Sequence, residues 1–188
     1  MSDEVVVPAE ACFPVAQGVG LDVAALTEPL AVAWHAVDAS PIAQIKEPNC
    51  VVFGGGPIGL AVIQVLLARG AKTVICVEVV ERRQEFARDF GAHHVIDPTK
   101  HDVISMAFEL CGGEQPPDLA FGCAGVPASI ETACKVIKSR GTVVNVAIWE
   151  KSVSTPQYRR HLLQLTSDFR SRSNQIGWSS AKRTTKLS

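Results

Sequence analysis

The stretch Val51-Val52-Phe53-Gly54-Gly55-Gly56-Pro57-Ile58-Gly59 constrains the fold more than any other part of the chain. A run of β-branched and aromatic residues stops at three glycines, and an apolar segment of helix length opens at Pro57. A strand therefore passes into a helix through a turn that favours glycine. Gly54, Gly56 and Gly59 stand at G-x-G-x-x-G spacing. Gly54 is expected to make the tight turn, Gly56 to let a pyrophosphate approach the backbone, and Gly59 to let helix and strand pack closely. Free N–H groups and the positive end of helix 57–69 would then face a diphosphate. Glycine-rich strand-to-helix turns also occur as plain structure, so the motif gains its meaning from context.

That context is a regular alternation. The pattern predicts strand 50–54, helix 57–69, strand 73–78, helix 81–90, a short strand 94–96, helix 101–110, strand 118–122, helix 127–138 and strand 141–147. Val- and Ile-rich strands without clean polar alternation, separated by helices, indicate a parallel sheet covered on both faces. The predicted fold is α/β, a doubly wound parallel sheet of Rossmann type, with its ligand outside the carboxyl ends of the strands. Upstream, Leu21 to Val37 is apolar nearly all round and reads as a largely buried helical segment with Pro29 near a helix start. After Lys151 the composition shifts to Ser, Thr, Arg and Lys with one acid, Asp168. A short helix around Tyr158 to Leu165 is all the order this tail suggests. The rest reads as a disordered basic tail over 152–188, which leaves the sheet incomplete at its C-terminal end.

The second strand ends in an acid, Thr73-Val-Ile-Cys-Val-Glu78, about 20 residues beyond the glycines. A carboxylate there can accept hydrogen bonds from ribose hydroxyls, and it would repel a 2′-phosphate. NAD is therefore preferred over NADP. Arg82 and Arg83 follow closely and offer the opposite chemistry, a pairing partner for a phosphate.

Composition excludes other classes. With 47% hydrophobic and 20% charged residues and a net charge of −1, the chain gives no support to a nucleic-acid or anionic-membrane role. Neither a signal-like start nor an apolar run of membrane-spanning length is seen, so a cytoplasmic location is expected. The six cysteines form no C-x-x-C pair, so a metal cluster is not expected. Cys50, Cys76 and Cys123 read as small buried hydrophobes. His35, His93, His94, His101 and His161 read as structural.

Four segments in order, Ala25-Leu-Thr-Glu28-Pro29 through His35-Ala-Val, GGGPIGLAVIQ, ERRQEFARDFGAHHVIDPTK and FGCAGVPASIETACKVIKSRGTVVNVAIWEK, resemble the medium-chain, zinc-type alcohol and polyol dehydrogenases. The resemblance is greatest to fungal sorbitol or (R,R)-butanediol dehydrogenase-like proteins and runs from about Val5 to Val153. It implies that Gly54, Gly56, Pro57, Ile58 and Gly59 hold the pyrophosphate, and that Glu78 and Arg83 meet the adenosine ribose. It further implies that Cys123, Ala124, Gly125 and Val126 line the nicotinamide ribose, and that Val146, Ala147 and Ile148 meet the carboxamide. Glu28 matches a family position at the catalytic zinc, as a ligand or as a partner of the zinc-bound water. The implied reaction is hydride transfer from a secondary alcohol, diol or polyol to NAD+, giving a ketone.

The same resemblance defines domains. Residues 1–20 match the last part of a GroES-like catalytic domain, 21–151 the NAD(P)-binding domain, and 152–188 nothing in the family. The other zinc ligands of the family are not found, and Glu28 alone is too few, so neither metal binding nor turnover by this chain alone is expected. Competing readings have discriminators. A short-chain dehydrogenase needs Tyr-x-x-x-Lys, but Tyr158 is followed four places on by Leu162. A methyltransferase has only the glycine loop in its favour. A non-catalytic NAD-binding or subunit-interaction module, pairing with full-length subunits through its sheet edge, stays open, as does a homo-oligomer.

Overall fold

The computed structural model describes residues 6–147 and 162–164. Two helices come first, α1 over Leu21–Ala24 and α2 over Thr27–Asp38. Strands and helices then alternate: β1 Asn49–Phe53, α3 Pro57–Ala68, β2 Thr73–Val77, α4 Glu81–Asp89, β3 His94–Ile96, α5 Val103–Leu110, β4 Leu119–Gly122, α6 Pro127–Val136 and β5 Thr142–Asn145. A short β6, Leu162–Gln164, follows. All pairings are parallel, and the sheet order is β3-β2-β1-β4-β5-β6. Chain order reverses between β1 and β4, the switch point where such sheets open a ligand crevice.

Side-chain alternation along the strands divides the core. Cys50 and Val52 of β1 face Val62 and Leu66 of α3, Ala33 and Val37 of α2 and Ala87 of α4. Val51 and Phe53 face the other way, against Val103 and Ala107 of α5 and Ile130 and Ala133 of α6. Every residue of β2 is buried, as expected of a central strand covered on both faces. The doubly wound parallel sheet predicted from the alternation is therefore present, with strand and helix positions within a few residues of expectation.

Two expectations need correction. Leu21 to Val37 is not largely buried: Leu21 is 79% exposed and Trp34 47%, and within α2 only Ala33, Ala36 and Val37 are buried. The reason is that α2 packs one face on α3, fastened where Arg69 pairs with Asp38 and lies over the Trp34 ring at 4.5 Å. Its side chains Leu30 and Trp34 stay exposed. The helix suggested around 158–165 is also not observed at its described residues. Leu162–Gln164 is strand, and backbone pairing of Val143, Val144 and Asn145 with these residues satisfies what would otherwise be a bare sheet edge. Among the described residues, no helix is long and apolar enough to cross a membrane.

Candidate functional site

The parallel register brings four strand ends to one line. Phe53 pairs with Val77 on one side and Gly122 on the other, and Gly122 pairs with Asn145. The loops leaving these residues are those singled out in the sequence. Gly54 turns at φ +103°, a region that favours glycine. A side chain there would also press on Ala124 N at 3.0 Å, so the first glycine lets the β1 and β4 loops touch. A Cβ on Gly59 would overlap the Gly54 carbonyl oxygen, which is why the helix can start so close to the strand. Around Gly56 nothing lies within 4 Å of an added Cβ. That open space is on the turn where a phosphate must reach the backbone. Gly56 caps α3 with Pro57 next, leaving the first-turn N–H groups of Ile58 and Gly59 without a helical partner. Gly54 and Gly59 thus permit the tight turn and the close helix–strand packing, and Gly56 leaves open space beside the turn.

Glu78 does more than stand at a strand end. It is 5% exposed, and its carboxylate accepts from Gly55 N–H at 2.7 Å, Val79 N–H at 2.8 Å and Val80 N–H at 2.9 Å. Burial of this charge is tolerated because three donors surround it. The bond to Gly55 ties the glycine loop to the end of β2. Gly55 itself was given no role in the motif, but an added Cβ would lie 3.1 Å from Arg83 O and 3.3 Å from Glu78 Cγ. The middle glycine thus lets the loop lean closely on the acid. Three consecutive glycines, where the motif asks for two, are the signal that sequence reasoning could have used.

The two arginines separate. Arg82 pairs with Glu85 at 2.6 Å and lies over the Phe86 ring, so it belongs to the outer face of α4. Arg83 is exposed, its side chain makes no ion pair among the described residues, and its Cβ would lie 3.4 Å from a Cβ added at Gly55. The structure therefore brings Arg83, but not Arg82, to the acid and the loop.

After β4, Cys123 and Ala124 are half-buried, and Gly125 and Val126 are exposed, Val126 by 53%. The Ser129 hydroxyl donates to Ala124 O at 3.0 Å and Val126 O at 2.7 Å, holding this loop against the start of α6. Burial, with a smaller contribution from Cys76, raises the Cys123 thiol to about 12, and burial, then the Glu78 charge, raises Cys76 similarly. Both are neutral, apolar groups at ordinary pH. After β5, Val146 N–H and Ala147 N–H both donate to Gly122 O at 3.0 Å, which places these residues beside the β4 loop. Ile148 lies outside the described residues.

Glu28 is apart from this assembly. It is exposed in the first turn of α2, just before Pro29, where the helix dipole favours an acid. The desolvation that would demand a partner does not arise. No group of three His, Cys, Asp or Glu side chains able to hold a metal ion occurs among the described residues, so the donors described there do not fit a catalytic zinc. The dinucleotide is different: an open glycine turn, a helix start and an acid at the adjacent strand end fit it.

Residues 57–176 match the zinc-binding dehydrogenase family, and the chain belongs to that family. The match continues past Val153, where the resemblance was expected to stop. The chain is 38% identical over 150 residues to an (R,R)-butanediol dehydrogenase of Saccharomyces cerevisiae, covering 79% of this chain and 38% of that protein. A crystal structure of 2R,3R-butanediol dehydrogenase from Bacillus subtilis superposes with a TM-score of 0.71 at 35% identity, covering 81% of this chain and 44% of that one. A zinc-binding dehydrogenase from Sinorhizobium meliloti, bound to NADP, superposes at 0.62 with 30% identity, over 72% and 41% of the two chains. The chain thus spans 38 to 44% of the length of these three relatives.

Proposed function

We propose that this chain is the NAD(P)-binding domain of a medium-chain dehydrogenase, and that the protein it serves oxidises a secondary alcohol, diol or polyol to the ketone. The observation that supports this best is the clear space at Gly56, flanked by the α3 start and by the Glu78 carboxylate tied to Gly55. In this reading Gly54, Gly56, Pro57, Ile58 and Gly59 hold the diphosphate, and Glu78 and Arg83 meet the adenosine ribose. Cys123 to Val126 line the nicotinamide ribose, and Val146, Ala147 and Ile148 meet the carboxamide. Bound there, the nicotinamide supplies the hydride-accepting carbon.

NAD is preferred over NADP, because a 2′-phosphate at the ribose would sit against a buried carboxylate that the fold has already surrounded with donors. Arg83 partly offsets this, so NADP is weakened and not abolished. The free cysteines suit a reducing compartment, which supports a cytoplasmic location. Because the donors among the described residues do not fit zinc, the chain by itself is proposed not to turn over alcohol. A second reading, a cofactor-binding or subunit-pairing module, draws support from the exposed apolar row Leu21, Val23, Leu26, Leu30 and Trp34.

The test is titration of the purified chain with NADH and NADPH, following nucleotide fluorescence and thermal melting together. Saturable binding that favours NADH supports the assignment. A folded chain that binds neither nucleotide refutes it. Co-elution with a full-length relative on size-exclusion chromatography would favour the module.

A further inference from the structure

The end of β5 holds a polar side chain that packing alone does not call for. In Thr142-Val143-Val144-Asn145, Asn145 follows Val143 on the α6 face of the sheet, and it is only 2% exposed. Its Nδ2 donates to Ala147 O at 3.3 Å, while Oδ1 accepts no hydrogen bond among the described residues. A buried acceptor without a donor is destabilising, and leucine or valine would fill this position without that cost. Gly122 stands beside it in register and makes the room: a Cβ on Gly122 would lie 3.1 Å from Ile130 Cδ1 and 3.3 Å from Asn145 Oδ1. Val146 N–H and Ala147 N–H both converge on Gly122 O, so the chain leaves the sheet around one carbonyl. The Asn145 amide fastens the outer peptide of that corner.

We propose that Asn145 is a positioning residue for the nicotinamide end of the cofactor, fixing the Val146–Ala147 peptides against which the carboxamide lies. The inference rests on the dinucleotide reading above and adds a residue to it. The unpaired Oδ1 is the stability given up for a fixed corner.

The experiment compares NADH with ADP-ribose, which keeps the adenosine and diphosphate but lacks nicotinamide. Kd for each is measured calorimetrically on the whole chain and on Asn145→Leu and Asn145→Val, each with a thermal melt. In both variants NADH binding weakens about tenfold while ADP-ribose stays within about twofold, and the leucine variant melts no lower than the parent. Equal weakening of both ligands, an unchanged NADH to ADP-ribose ratio, or loss of cooperative melting in both variants would each overturn the proposal by leaving Asn145 a structural role. A parent chain that binds NADH no tighter than ADP-ribose overturns it too. A parent chain that binds neither ligand overturns the dinucleotide reading itself, and this inference with it.

Discussion

Single atoms decide much of the packing around the glycine turn. Adding one methyl group at Gly59 drives it into the Gly54 carbonyl, so Gly59→Ala should lower stability by about 2 kcal/mol or more, read as a shifted urea midpoint. Replacing Glu78 by glutamine keeps the shape but removes the charge that three N–H groups surround. That variant should lose about 1–2 kcal/mol of stability and narrow the preference for NADH over NADPH, both measurable in the same titration. Asp97, just beyond β3, is another buried acid held by hydrogen bonds. The Thr99 hydroxyl, then the Thr99 N–H and Lys100, hold its carboxyl well below the usual carboxylate range. A carboxylate depressed in this way contributes stability that is fully present above its unfolded value of 3.8 and is lost as pH falls toward its folded value. Asp97→Asn should therefore flatten the acid limb of a melting-temperature profile below about pH 4 and leave its slope near pH 7 unchanged. At this scale the sequence singled out residues by type and spacing but did not show how they are bonded. The acid at 78 was legible from its spacing, but its bond to Gly55 was not, because a hydrogen bond across 23 positions depends on where the strand register puts the loop.

Among the elements, β1, α3 and β2 were the most legible, because their hydrophobic runs are long and bounded by glycine. The α2 segment was misread for a physical reason. Its apolar residues surround the helix, and periodicity cannot say whether a second partner covers the far side. The face with Ala33, Ala36 and Val37 is covered while Leu30 and Trp34 stay exposed, and the clasp is Arg69 on Trp34 and Asp38. Arg69→Ala should cost no more than about 1 kcal/mol, since the pair is more than a third exposed and salt-screened. A chemical melt at low and high salt would check both the size and the screening. The tail was misread at β6 because three residues, Leu162–Gln164, are too few for alternation to show. Their strand state depends on β5 offering a free edge.

For the molecule as a whole, the sheet is held by parallel pairing and by two apolar layers, and its edges are its weak points. A chain ended at His161 would leave Val143 and Val144 at an unpaired edge. It should scatter light and lose its melt at protein concentrations where the parent stays clear. Free thiols report the same global fold: burial raises the Cys50 thiol far above its ordinary value and Cys111 to about 11, whereas Cys12 is exposed. At pH 8 Cys12 should react at once with a thiol reagent, and Cys50 only at the rate of unfolding. The sequence by itself determined the alternation, the glycine turn and the acid at its fixed spacing, because these are local consequences of residue type and period. Tertiary structure alone decided which strand ends meet, that Glu78 binds Gly55, that Glu28 stays in solvent and that Asn145 is buried beside Gly122. Those facts depend on the order in which distant strands pair, and local sequence carries no record of that order.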